Sequence, residues 1–123
     1  MTEIPTTKRK FDLEDRTLAF AKRVIHLCKK VDHNAINREL ISQLVRASGS
    51  IGANYREANE ALSKKDFSYR IKIARKEAKE AGYWLQLLEE AQPTLDGEIS
   101  QLQRESVELR KILSSIAEKS GGA

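Results

Sequence analysis

The sequence predicts an all-α domain, an antiparallel up-down-up-down four-helix bundle. Three observations predict it. Apolar residues recur at alternating spacings of three and four through four long segments, the pattern of helices that each turn one face to a core. Only two prolines and six glycines interrupt the 123 residues, and 33% of the chain is charged, a composition that favours long helices. The polar breaks between segments are short, so consecutive helices must run antiparallel. No segment reads as a strand.

Residues 1–10, with Pro5 and the run Lys8-Arg9-Lys10, read as a flexible tail. Asp12 is placed to cap a first helix, with Phe11 before it and Asp15 at the third helical position. Phe20, Val24, Leu27 and Val31 form its core stripe, beside a second stripe of Leu18, Ala21, Ile25 and Cys28. The helix should stop near Asp32-His33-Asn34. A second helix begins at Asn34 or Asn37 and carries Leu40, Leu44, Ala47, Ile51, Tyr55, Ala58 and Leu62, flanked by Ile41, Val45, Ser48 and Gly52. Gly49 and Gly52 would each weaken an isolated helix by roughly 1 kcal/mol relative to alanine. They are tolerated where a neighbouring backbone comes close, so a tight crossing is expected at Ser48–Ala53.

Ser63 caps the third helix, with Asp66 three residues on. Its stripe is the most regular in the chain: Phe67, Ile71, Ala74, Ala78, Ala81, Leu85 and Leu88. This near-heptad spacing suits shallow crossing angles, and the alanines call for close approach. Pro93 ends the helix. A fourth starts near Thr94 or Asp96 and repeats Leu95, Ile99, Leu102, Ser106, Leu109, Leu113 and Ile116. The bundle therefore spans residues 11–118, with tails at 1–10 and 119–123.

The helices hold more apolar surface than one bundle needs. Ile73, Trp84, Leu87 and Ala91 give helix three a second face, Ile112 widens helix four, and helix one has two stripes. Burying such surface contributes roughly 25 cal/mol per Å², which predicts a homo-oligomer; the periodicity does not choose its size.

The search for chemistry finds no site. His26, Cys28 and His33 have neither the spacing nor the companions of a metal centre. Cys28 lies on an apolar stripe and reads as packed. The SGSIG segment at 48–52 lacks the lysine and the preceding strand of a P-loop. No helix supplies the Glu-x-x-His of a ferritin-like metal bundle. No cofactor is expected, and no catalytic residue. A lone cysteine fits a reducing compartment, no apolar run reaches the ~20 residues of a membrane span, and the N-terminus has no signal core, so a cytoplasmic location is expected.

Two polar groupings remain. Helices two and three turn back on each other at Ser63, which sets Arg46 roughly opposite Glu80 and places Arg56 nearer Arg70 and Asp66. Together with Asn54, Tyr55, Glu57, Glu77, Tyr83 and Trp84, these are expected to form a structural and assembly network that fixes register and pairing. The second grouping is basic. The net charge is +4, and the excess lies in the N-terminal segment and helix three. Lys65, Lys72, Arg75, Lys76 and Lys79 recur on helix three, and Lys22, Arg23, Lys29 and Lys30 on helix one. They are candidates for contacts with an RNA or DNA backbone, or form solvated faces with i,i+4 pairs such as Lys76–Glu80.

These residues also carry a resemblance. F-D-L-E-D-R-T at 11–17, R-A-S-G-S-I-G-A-N-Y-R-E-A at 46–58 and F-x-x-x-I-x-I-A-x-K-E-A-x-E-x-x-Y-W-L-x-L-L from Phe67 to Leu88 resemble the 23S ribosomal RNA intervening-sequence protein family over residues 11–117. The resemblance implies a small bacterial four-helix bundle that assembles as a homopentamer around a central axis, with no established enzymatic activity. It further implies kinship with accessory proteins of diversity-generating retroelements, which are strongly basic, barrel-like assemblies that associate with a reverse transcriptase and nucleic acid. The expected function is that of a non-enzymatic homo-oligomeric binding or scaffold module, with a protein partner of unknown identity; the alternative is a nucleic-acid-binding accessory factor.

Overall fold

A computed structural model describes the chain from Pro5 to Ser120, with side chains from Leu13 onward. Helices α1 (Pro5–Cys28), α2 (Ala35–Asn59), α3 (Lys64–Ala91) and α4 (Asp96–Lys119) form an all-α antiparallel four-helix bundle, with one 3₁₀ turn at Pro93–Leu95. Each helix packs on its neighbours in sequence, and α1 closes the ring against α4. The α2–α3 contact is the most extensive and the α1–α4 contact the slightest.

The caps follow from local chemistry. Asn34 accepts a hydrogen bond from the Asn37 amide at 2.8 Å, and Ser63 accepts one from the Asp66 amide at 3.0 Å, which satisfies a donor the first turn otherwise leaves unpaired. Helix α1 starts at Pro5, not at Asp12. Proline suits a first helical position, because its φ is already helical and its missing N–H would have had no partner there. Residues 5–10 are thus helical rather than tail. Lys119 is likewise the last residue of α4, and residues 1–4 and 121–123 lie outside the described part.

The core is one cluster. Phe20, Val24 and Leu27 of α1 meet Leu44 and Ile51 of α2, Ile71, Leu85 and Leu88 of α3, and Ile99, Leu109 and Leu113 of α4, all essentially inaccessible. Burying each such side chain contributes roughly 1.5–3 kcal/mol. Ala74, Ala78 and Ala81 are fully buried, so α3 presents a flat strip to its neighbours. Some stripe residues depart from expectation. Leu62 lies beyond the end of α2 and is wholly exposed. At the end of α4 the core position passes from Ile116, half-buried, to Ala117, buried.

Close crossings occur where glycine faces a small hydroxyl residue. A Cβ on Gly52 would sit 2.9 Å from Thr17 Oγ1, and one on Gly82 would sit 3.0 Å from Ser106 Oγ. Both hydroxyls donate to carbonyls of their own helix, Thr17 to Leu13 and Ser106 to Gln103, so neither is buried without a partner. Gly49 differs from expectation: it is exposed and a Cβ there meets nothing within 4 Å.

One end of the bundle is tied by a buried amide. Gln92 Oε1 accepts from the Asp32 amide at 3.1 Å and from Asn37 Nδ2 at 3.5 Å. Its Nε2 donates to Thr94 Oγ1 at 3.1 Å and Asp32 Oδ2 at 3.4 Å. Asn37 Nδ2 also donates to the Asp32 carbonyl at 2.9 Å. The α1–α2 connection is thereby fastened to the α3–α4 connection. Gln92→Ala should lower stability by about 1–3 kcal/mol, because it strands buried partners; urea unfolding monitored by circular dichroism measures it.

Candidate functional surfaces

Arg46 lies between two carboxylates of α3. Its guanidinium is 3.7 Å from Glu80 Oε1 and 3.9 Å from Glu77 Oε1. The pairing follows from the antiparallel turn at Ser63, which puts residues equidistant from it side by side. Glu77 is only 6% exposed, and its Oε1 has no hydrogen bond, so the nearby cation is what compensates the buried carboxylate. Glu80 also faces Lys76 at 4.0 Å. Since the Arg46 side chain is 55% exposed, water screens much of the attraction. Arg46→Ala should therefore lower the melting stability by only about 1 kcal/mol, and Arg46→Lys should recover part of it.

The other members of the expected network do not all converge there. Asn54 Oδ1 accepts from Arg70 Nη1 at 3.2 Å, so Arg70 pairs with Asn54 rather than with the Arg56 region. Tyr55 is a core residue, and burial pushes its hydroxyl pKa up. Arg56 and Glu57 point to solvent. Tyr83 and Trp84 meet edge to face, 5.3 Å between ring centres; Trp84 packs on the core while Tyr83 is largely exposed. Sequence reasoning missed the bidentate Arg16–Glu105 bridge between α1 and α4, at 2.6 and 2.9 Å, because its partners lie 89 residues apart.

The surplus apolar surface is only partly where the pattern put it. Trp84 and Ile112 pack against the core, and Ile73 and Leu87 are half-buried. Leu18 and Ile25, from the second stripe of α1, are exposed; so are Val45 of α2, Tyr83 of α3 and Val107 of α4, and, away from these, Ile36, Leu62 and Tyr69. Ile25 and Val45, with Ile41 and Cys28, line a groove of about 330 Å³ that Lys29, Asp32 and Arg38 also line. Tyr83 and Val107, with Gly82 and Gln103, line another of about 830 Å³, which Lys79, Arg104, Glu108 and Arg110 border. Because the helices contact one another in cyclic order, these grooves lie on opposite sides of the bundle.

The basic residues do not form one face. Helices α1 and α3 are diagonal, so Lys22, Arg23, Lys29 and Lys30 are well separated from the lysines of α3, and Lys30 pairs with Glu98 at 2.9 Å. On α3, Lys76 turns toward Glu80, Arg75 is half-buried and Lys79 lines the α3–α4 groove. Lys65 and Lys72 line a separate cleft at the end of the bundle.

No group of three His, Cys, Asp or Glu side chains among the described residues could hold a metal, and no described helix is long and apolar enough to cross a membrane. Cys28 is buried, which pushes its thiol up to about 11. Alkylation by iodoacetamide at pH 8 should be ~100-fold slower in the native protein than in urea, since little thiolate forms. The thiol is raised from an ordinary value of 9.0. Its contribution to stability is therefore complete below about pH 9 and lost as pH rises toward 11.

The fold and these surfaces define a four-helix bundle protein with two partly apolar grooves and a buried carboxylate that faces an arginine. The chain belongs to the 23S rRNA-intervening sequence protein family, whose model matches residues 9–115. It is similar to a crystal structure of a protein of unknown function from the S23 ribosomal protein family of Bacteroides thetaiotaomicron, with 35% identity over 85% of this chain and 97% of that one and a TM-score of 0.76. No curated protein matches the chain.

Proposed function

We propose that the protein is a non-enzymatic scaffold whose copies join head to tail into a closed ring. The observation that supports this is the pair of exposed, partly apolar grooves on opposite sides of the bundle. The two are not alike: one sets Ile25, Ile41 and Val45 beside Lys29, Asp32 and Arg38, the other centres on Tyr83 and carries Gln103, whose buried Nε2 has no acceptor. Unlike patches on one chain favour a heterologous contact, and such contacts close into a ring when the rotation between copies divides a full turn. The family resemblance sets the expected number at five. Buried, protonated Cys28 and a carboxylate compensated by Arg46 suit packing roles better than catalysis. Native mass spectrometry tests the reading: one closed species of several copies is expected, and a lone 13.9 kDa chain at micromolar concentration would overturn it.

A second reading is that of a nucleic-acid-binding accessory factor. It is supported by the lysines at the end cleft rather than by a continuous basic stripe. Such binding would be backbone-driven and would weaken steeply with salt. A fluorescence titration with structured RNA at two salt concentrations tests it; no binding at ~50 mM salt removes it.

A further inference from the structure

We infer that the end cleft between the start of α3 and the end of α4 is a binding site for a phosphate group. Lys64, Lys65, Ser68, Tyr69, Lys72 and Lys119 line a concavity of about 600 Å³. No acidic side chain lines it, and among the described residues none of these four lysines has an ion-pair partner within 4 Å.

Two features make this more than a solvated surface. Lys64 and Lys65 occupy the first turn of α3, where the helix dipole is positive and a cation is unfavourable by a few tenths of a kcal/mol or more. Only Asp66 in that turn offsets them. The negative end of α4 accounts for Lys119, which complements it, but not for three lysines on α3. The second feature is Ser68. It is 8% exposed, and its Oγ has no hydrogen-bond partner. A buried hydroxyl without a partner is uncommon, and this one lies in the wall of the cleft, on the α3 face that also carries Lys64, Lys65 and Lys72 at spacings of three and four. With its side chain turned toward the cleft, Ser68 would donate to a phosphate oxygen seated there while the ammonium groups neutralise its charge.

The inference needs only one chain, so it stands apart from the ring. It deepens the nucleic-acid reading by giving it one site. The phosphate could belong to a small phosphate ester or to a nucleic acid, and the test separates these sources. Amide resonances of the uniformly ¹⁵N-labelled protein are followed during titration with inorganic phosphate, and with sodium chloride at equal ionic strength. Saturable shifts at Ser68, Tyr69 and Lys119 with phosphate alone are expected. Ser68→Ala, a mild change within a helix, should weaken phosphate binding roughly tenfold, and the double variant Lys65→Gln, Lys72→Gln should abolish it. Identical shifts with chloride, or full affinity in Ser68→Ala, overturn the site. A 5′-phosphorylated oligonucleotide and its hydroxyl-ended twin are then titrated. Tighter binding of the former assigns a terminal phosphate, equal binding a backbone phosphate, and phosphate binding with neither oligonucleotide keeps the site and removes the nucleic-acid reading. Oligonucleotide binding that Ser68→Ala and the double variant leave unchanged keeps that reading and overturns the site.

Discussion

Gly52→Leu should destabilise the bundle by about 2 kcal/mol net, lowering the melting temperature by roughly 8 °C. The position faces Thr17 so closely that even a Cβ would sit 2.9 Å from its hydroxyl. A branched side chain must therefore push α1 outward or force Thr17 from its rotamer. The helix-propensity gain over glycine, about 1 kcal/mol, opposes this but is smaller than the overpacking. Gly49→Ala is the control. It lies three residues earlier in the same helix with open space around it, so it should stabilise by about 0.5–1 kcal/mol. Thr17→Ala should recover part of the Gly52→Leu loss, because it removes the nearest atom and its hydroxyl bonds only carbonyls of its own helix. Calorimetry on the four proteins measures the set; equal melting temperatures for Gly52→Leu and wild type would contradict the close crossing.

The second large effect concerns assembly. Ile25→Asp with Val45→Asp places two charges in the groove those residues line, and Tyr83→Asp with Val107→Asp does so in the other. All four side chains are more than a third exposed, so each doubly substituted chain should fold, with stability reduced by about 1 kcal/mol or less. Each alone should be monomeric, since two carboxylates replace the apolar centre of the contact and their desolvation is unfavourable. Mixed together, the two variants retain one intact groove of each kind and should pair as heterodimers. That complementation is specific to a head-to-tail contact. A two-fold contact through a single patch would leave one variant assembled as before.

The register of α2 against α3 was legible in the sequence. Counting outward from Ser63 was enough to set Arg46 against Glu80, because an antiparallel turn fixes which residues meet. The core stripes and the caps at Asn34 and Ser63 were legible for the same reason: helical period and capping chemistry are local. What was missed depends on distant partners or on which face a residue takes. Gln92 gathers groups 55 and 60 residues away, which no local pattern reveals. Gly49 and Gly52 look alike in sequence, yet only Gly52 faces another helix. Pro5 stands in a segment that reads as a flexible tail, although at the first position proline begins a helix as readily as it ends one. The cations of α1 and α3 stay apart because those helices are diagonal, and the lysine cluster with Ser68 forms only when the end of α4 comes beside the start of α3.

A dilution series by sedimentation velocity probes the two-groove scaffold most directly. Wild-type protein is expected to sediment as one multi-copy particle that persists into the low micromolar range. A single boundary at the mass of one chain throughout the series would leave the bundle intact and contradict the assembly.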